Sequence, residues 1–120
     1  MFELHVKGHI SSAHFLREYA GKCKNLHGHN WKVELFIVSD KLDALGMVAD
    51  FGVIKEKLNK FLSGLDHVCL NELPYFKTNN PTTENIAKYI FHEFSSEIAP
   101  LKIDRVQVWE SEQNSVIYYE

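Results

Sequence analysis

The sequence predicts an α+β domain in which two helices pack on one face of a four-stranded antiparallel sheet. Near both ends of the chain, apolar and polar residues alternate as in half-buried strands, whereas in the middle apolar residues recur at helical spacing. The order strand, strand, helix, helix, strand, strand favours helices gathered on one face. Because the 120 residues contain no internal repeat or low-complexity tract, we expect a single domain over residues 1–120.

The first two predicted strands carry histidines on their apolar faces. From Phe2 to His14 the even positions are mostly apolar and the odd positions mostly polar, which places His14 on the apolar side. The segment 29–39 repeats this alternation, with His29 and Trp31 on its apolar face. Both histidines therefore extend faces that should pack against the core.

The two helices are predicted from their caps and from apolar residues three or four positions apart. Asp50 is a good N-cap for a helix that runs to about Ser63. Residues 71–81 form a loop rich in Asn and Pro, after which Thr82 can cap a second helix that ends near Ile98. Each helix then has one apolar stripe that can cover the sheet.

Two further strands are predicted over residues 102–110 and 115–119, joined by a polar turn. Glu110 has the same parity as Val106 and Val108, so its carboxylate lies at the end of an apolar face. A four-stranded sheet leaves two edges, which proteins must cover, blunt or pair. Self-association through the sheet is the simplest solution, so we expect a homo-oligomer.

Composition and charge exclude several classes of function. The net charge is −3, and the 13 Lys and Arg residues are spread along the chain, which argues against a nucleic-acid partner. No apolar run approaches the roughly 18 residues that span a bilayer, and the first residues do not resemble a signal peptide. We expect a cytoplasmic protein in which Cys23 and Cys69 are free thiols.

The run from Cys23 to His29 contains three groups that can bind a metal within seven residues. His27 and His29 point the same way in an extended chain, and an antiparallel partner strand brings His14 beside them. Three neutral histidines are a common catalytic zinc set with one open position. The residues also allow two other interpretations: a closed structural zinc site with Cys23 as fourth ligand, or ordinary histidines without a metal.

Other residues are weaker candidates for chemistry. Asp66 can orient the imidazole of His67, as a general acid or base requires. Lys22 and Lys24 flank Cys23 and favour its thiolate form, which could act as a base. A carboxylate such as that of Glu110 suits a ligand with a guanidine-like pair of N–H donors. Each of these residues could instead be an ordinary surface group.

In combination, these motifs resemble the 6-pyruvoyltetrahydropterin synthase family over nearly the whole chain. The resemblance is carried by His14, the Cys-x-x-x-His-Gly-His run, Asp66-His67, Pro81-Thr82-Thr83-Glu84-Asn85 and Glu110. The short gap between Cys23 and His27 is similar to the bacterial branch, 6-carboxytetrahydropterin synthase.

The resemblance implies a tunnelling fold (T-fold), in which the sheets of several subunits join into a barrel, usually as a hexamer of two trimers with active sites at subunit interfaces. It implies that 7,8-dihydroneopterin triphosphate is converted to 6-carboxy-5,6,7,8-tetrahydropterin, acetaldehyde and triphosphate in 7-deazaguanine and queuosine biosynthesis. A 6-pyruvoyltetrahydropterin synthase, or a non-catalytic domain with a structural zinc site of one Cys and three His, is the alternative.

The resemblance also assigns roles to individual residues. The zinc ligands would be His14, His27 and His29. Cys23 would act as a base, and His67, oriented by Asp66, as the acid/base partner. Glu110 would bind the aminopyrimidine ring of the pterin with help from Thr82 or Thr83. A triphosphate site is not evident from the motifs, and Arg17, Lys22 and Lys24 are candidates only from their charge and proximity.

Overall fold

The computed structural model describes residues 1–120, and its elements follow the predicted order. The strands are β1 (Phe2–His14), β2 (His27–Ser39), β3 (Lys102–Trp109) and β4 (Ser115–Tyr119). The helices are α1 (Phe51–Ser63), a short α2 (Pro74–Thr78) and α3 (Thr83–Phe94). The predicted α+β class and its ββααββ order are therefore confirmed, with α2 as an addition.

The four strands form one antiparallel sheet in the order β1-β2-β3-β4. β1 and β2 pair over their full length, from Phe2 opposite Ser39 to His14 opposite His27. This long hairpin brings the end of β1 against the beginning of β2. Residues of both strands that are predicted to bind a metal consequently lie at one end of the sheet.

The core lies between one face of the sheet and the helices. Strand residues such as Ile10, Trp31 and Val106 are fully buried there against α1 and α3. At the start of α1 the Asp50 carboxylate accepts hydrogen bonds from two backbone N–H groups, and at α3 the Thr82 hydroxyl accepts one from Asn85, as both predicted caps require. Burial of a core side chain of this size contributes about 1.5–3 kcal/mol.

Some boundaries differ from the predictions, each for a physical reason. Strand β2 begins at His27, two residues earlier than predicted, because His27 pairs with the last residue of β1. The predicted loop 71–81 contains α2, which starts with Pro74 at its first position and buries Phe76. A proline at the first position of a helix favours its start, but the many Asn and Pro residues of this segment suggested a loop instead. Helix α3 ends at Phe94 and continues as a 3₁₀ turn to Ile98.

The outer edge of β1 is partly covered by its own chain. Residues 66–69 run beside it: the His67 N–H donates to the Ser11 carbonyl at 2.7 Å and the Ala13 N–H to the Val68 carbonyl at 2.9 Å. This pairing covers part of one exposed sheet edge, because the outward-facing backbone groups at the His14 end of β1 already have hydrogen-bond partners. None of the helices is both long and apolar enough to cross a lipid bilayer.

Candidate metal centre and surrounding pockets

Three histidines converge at the end of the sheet where β1 stops and β2 begins. His14 is the last residue of β1, and His27 and His29 are the first and third residues of β2. Their side chains lie on the helix-covered face, as the period of two in a strand dictates. One candidate ligand atom from each ring lies within 4.8 Å of the other two.

Hydrogen bonds to backbone carbonyls define how two of the rings are protonated. The Nδ1 atom of His14 lies 2.7 Å from the Pro81 carbonyl oxygen, and Nδ1 of His27 lies 2.7 Å from that of Asn25. A nitrogen facing a carbonyl must carry the proton, so each neutral ring has its lone pair on Nε2. These two Nε2 atoms are 3.0 Å apart, and facing lone pairs at that distance repel each other unless a cation lies between them.

The third ring has an unpaired nitrogen directed into the same region. Nε2 of His29 is buried without a hydrogen-bond partner, and a carboxylate oxygen of Glu110 lies 3.9 Å away. The side chain of Trp31 is fully buried, packs edgewise against His14 and His29, and covers the inner side of the histidine cluster. A buried polar atom without a partner is costly, so this nitrogen also fits a metal ligand.

Burial keeps the imidazoles in the form that binds metals. Burial lowers the pKa of His14, which is only 2% exposed, although the Pro81 carbonyl opposes the shift. Burial likewise lowers the pKa of His29, with the Glu110 carboxylate acting in the opposite direction. Lowered values favour neutral rings at neutral pH, which a metal requires. Three imidazole nitrogens form a ligand set that fits zinc, and the Cys23 thiol is not part of the cluster.

A cavity of about 240 Å³ adjoins the cluster and contains most of the other predicted site residues. Cys23, Thr82, Thr83 and Glu110 line it together with His14. The Thr83 hydroxyl donates to a Glu110 carboxylate oxygen at 2.8 Å, whereas the Thr82 hydroxyl accepts the Asn85 N–H as the cap of α3. Of the two threonines proposed to assist Glu110, Thr83 is therefore the one in contact with it.

The Asp66–His67 pair is formed but lies elsewhere. An Asp66 oxygen is 2.7 Å from Nδ1 of His67, and the other oxygen accepts the Ser11 N–H at 2.6 Å. The Ser11 N–H, and secondarily His67, lower the pKa of Asp66. His67 lines a second, open cavity of about 560 Å³ with His29 and Cys69 among its walls. Within one chain, His67 and Cys23 thus face different cavities.

Several contacts that shape the site were not predictable from the sequence. The carbonyls of Pro81 and Asn25 orient the rings of His14 and His27. Because every residue has a backbone carbonyl, the sequence does not mark these two contacts. Arg17, a candidate for triphosphate binding, donates from its guanidinium to the Phe76 carbonyl at 2.6 Å. Cys69 is partly exposed and lines the cavity beside His67.

Known proteins are similar to this chain in both sequence and fold. The family model described as "PTPS: 6-pyruvoyl tetrahydropterin synthase" matches residues 3–120. A Bacillus subtilis (strain 168) protein named 6-carboxy-5,6,7,8-tetrahydropterin synthase is 39% identical over 95 residues, covering 75% of this chain and 63% of that protein. The chain thus aligns with less than two thirds of that relative.

A human protein and a solved structure extend the comparison. Human 6-pyruvoyl tetrahydrobiopterin synthase is 34% identical over 102 residues, covering 82% of this chain and 70% of the human protein. The structure of Caenorhabditis elegans 6-pyruvoyl tetrahydropterin synthase matches with a TM-score of 0.88 at 26% identity, over 99% of this chain and 95% of that one. The architecture described above is therefore that of these synthases.

Proposed function

Because the chain belongs to the 6-pyruvoyl tetrahydropterin synthase family, we propose that it is a zinc-dependent carbon–carbon lyase acting on 7,8-dihydroneopterin triphosphate. With one water, the substrate would give 6-carboxy-5,6,7,8-tetrahydropterin, acetaldehyde and triphosphate, a step of 7-deazaguanine and queuosine biosynthesis. The observation that carries the proposal is the facing pair of Nε2 lone pairs on His14 and His27, 3.0 Å apart, beside the unpaired Nε2 of His29.

The three histidines would hold the zinc. When bound, zinc acts as a Lewis acid that acidifies the hydroxyl and C–H groups of the substrate side chain. The Pro81 and Asn25 carbonyls would keep two of the rings in the tautomer that presents Nε2, and such outer partners also raise ligand basicity. The indole of Trp31 would exclude water from the inner side of the cluster.

Glu110 would anchor the pterin and thereby select its orientation. Its carboxylate can accept two parallel N–H bonds from an aminopyrimidine, an arrangement stronger than a single neutral hydrogen bond. The contact with Thr83 occupies one oxygen edge and holds the carboxylate in the cavity wall. The substrate side chain would then extend towards His14 and Cys23, which line the same cavity.

Proton transfers would be divided between two groups. The Cys23 thiolate would accept a proton from a side-chain carbon, and His67 would donate or accept on the other side of the substrate. Asp66 would keep the His67 imidazole oriented through the 2.7 Å hydrogen bond. Since His67 and Cys23 line different cavities of one chain, we propose that a second chain completes each site, in a hexamer of two trimers.

The deciding experiment is to incubate the zinc-loaded protein with 7,8-dihydroneopterin triphosphate, identify the pterin by mass spectrometry and assay acetaldehyde. Carboxytetrahydropterin with one acetaldehyde per pterin is the expected result. The human relative at 34% identity favours 6-pyruvoyltetrahydropterin synthase as the second candidate, which would release triphosphate without acetaldehyde. Unchanged substrate would contradict both activities.

A matched pair of cysteine variants tests the non-catalytic alternative with a structural zinc. Cys23→Ala should retain its zinc and lose at least about 100-fold in turnover, because a positioned base contributes that much or more. Cys69→Ala removes the other thiol of the chain and should keep its zinc. Loss of zinc from Cys23→Ala would instead favour a structural site with Cys23 as fourth ligand.

A further inference from the structure

The outer edge of β1 continues beyond the end of the strand. Alternate residues of β1 direct their backbone groups away from β2, and at Ser11 and Ala13 these groups bond to residues 66–68. The same alternation continues at Phe15 and Arg17, where no strand is present to receive them. Side chains take over the role of a neighbouring strand at these two residues.

Two asparagines supply these side-chain contacts. The Phe15 N–H donates to the Asn71 amide oxygen at 3.0 Å, and the Asn71 amide nitrogen donates to the Phe15 carbonyl at 2.9 Å. Asn80 binds Arg17 in the same way, with both distances at 3.0 Å. Each amide thus satisfies one backbone N–H and one carbonyl, as a paired strand residue would. We call this pair the asparagine clamp.

The clamped segment connects the metal cluster to the loop that carries Cys23. Between the two clamped residues, the Leu16 N–H points the other way and donates to the Cys23 carbonyl at 2.8 Å. Leu16 also lines the cavity that contains Cys23 and His14. Residues 15–17 therefore connect His14 to the backbone of Cys23.

Asn80 has a second connection, through its own backbone, to the metal cluster. Its carbonyl accepts hydrogen bonds from the Thr82 N–H at 2.8 Å and from the Asn85 side chain at 2.9 Å, which fixes it to the start of α3. The next residue, Pro81, presents its carbonyl to Nδ1 of His14. Pro81 thus holds the ring of His14. Its neighbour Asn80 holds Arg17, which belongs to the segment bonded to Cys23.

We propose that Asn80 is a positioning residue that holds Cys23 at its working distance from the metal cluster. Its catalytic consequence rests on the proposed function, since it requires Cys23 to act as the base. Asn80 itself does not need to contact the substrate. Its effect is transmitted from Arg17 through Leu16 to the Cys23 carbonyl, so release of the segment should move the thiol without removing the metal.

The test compares Asn80→Ala with Asn59→Ala, which makes the same change on the exposed surface of α1. Loss of two hydrogen bonds should increase local opening of residues 15–17 by about 10- to 30-fold. We expect faster hydrogen exchange at the Leu16 amide and faster alkylation of Cys23 by iodoacetamide, with Cys23 and Cys69 resolved by peptide mass spectrometry. Zinc content should match the wild type, and Asn59→Ala should match it in every measurement.

Turnover provides the catalytic readout. A base displaced by about 1 Å can cost roughly 100-fold in rate, so kcat should fall by about 10- to 100-fold with KM nearly unchanged. Asn80→Asp retains the oxygen that accepts the Arg17 N–H but lacks the donor to its carbonyl. Because a carboxylate oxygen would then face that carbonyl and repel it, Asn80→Asp should release the segment at least as much as Asn80→Ala, and it replaces that variant as the test if Asn80→Ala does not fold.

Two results would overturn the proposal. One is wild-type exchange at Leu16 together with wild-type alkylation of Cys23, even if the melting temperature falls, because Asn80 would then be only structural. The other is loss of zinc, which would place the effect of Asn80 on His14. If the wild type itself does not convert the pterin, the proposed function fails, whereas exchange, alkylation and zinc content still decide whether the clamp positions Cys23.

Discussion

The histidine cluster and the Asp66–His67 pair are held in opposite ways. His14 is buried, its ring fixed between the Pro81 carbonyl and the neighbouring histidines. The side chain of His67 is 81% exposed, and its one strong partner is Asp66. The first group has its surroundings completed by its own chain. The second is oriented but faces open solvent.

The contrast teaches which part of the site one chain can build alone. A metal ligand needs a neutral ring, and burial favours that form of His14 and His29 within the subunit. An acid/base histidine needs a positioned substrate, and the cavity beside His67 is open on its outer side. His67 also has a φ of 54°, a conformation that is uncommon for a non-glycine residue and that is kept by bonds of residues 66–68 to β1. His67 is therefore accessible from outside the chain.

Removal of a cluster ligand should have the largest effect. His14→Ala should reduce zinc affinity by more than about 100-fold, because loss of an outer partner alone already costs about 10- to 100-fold. Zinc content after dialysis against a dilute chelator measures this. His9→Ala is the matched control, since His9 is exposed on the opposite face of the same strand. Full zinc content in His14→Ala would remove this histidine from the metal site.

Mixing two inactive variants tests whether the exposed pair serves a second chain. Cys23→Ala and His67→Ala should each lose at least about 100-fold in turnover. If each site combines Cys23 of one chain with His67 of another, co-refolded equimolar mixtures should recover about one quarter of wild-type turnover by random pairing in a closed ring. Mixing without unfolding is the control. Absence of recovery would place both residues of a working site on the same chain.

The free energy of unfolding of the zinc-free protein should depend on pH, because burial lowers the pKa of two histidines. The pKa values of His14 and His29 are lowered in the folded state, so above pH 6.5 the rings are neutral in both folded and unfolded chains. As the pH falls below 6.5, these two histidines bind protons more readily in the unfolded chain than in the folded chain. The free energy of unfolding therefore decreases. Urea unfolding between pH 7.5 and 5.5 should show this slope, and His29→Gln should reduce it. An equal slope in the variant would contradict the assignment.

The smallest effect is expected at the exposed pair. The pKa of Asp66 is lowered in the fold, so its stabilisation is present above the ordinary value of 3.8 and is lost as the pH falls through the lower folded value. Asp66→Asn should therefore lower the melting temperature slightly at pH 7, and this difference should shrink as the pH falls below 3.8. Asp40→Asn, on an exposed turn, controls for the loss of charge. A difference that is independent of pH would show that the ionised carboxylate is not responsible.

The sequence by itself determined the fold class and indicated which three histidines converge at one end of the sheet. Strand alternation placed His14 and His29 on apolar faces, and antiparallel neighbours necessarily bring the end of one strand to the start of the next. Helix caps at Asp50 and Thr82 were equally readable, since a cap depends on residues two or three positions away. Local periodicity and short-range hydrogen bonding suffice for these features.

Only the tertiary structure decided how those groups are held and separated. The Pro81 carbonyl reaches His14 across 67 positions of sequence, and Asn80 reaches Arg17 across 63. The distribution of Cys23 and His67 between two cavities likewise follows from the packing of the connecting loops. Backbone carbonyls and amide side chains act through position alone. Because any residue has a carbonyl and many surface loops contain asparagine, no sequence pattern marks these contacts before the chain is folded.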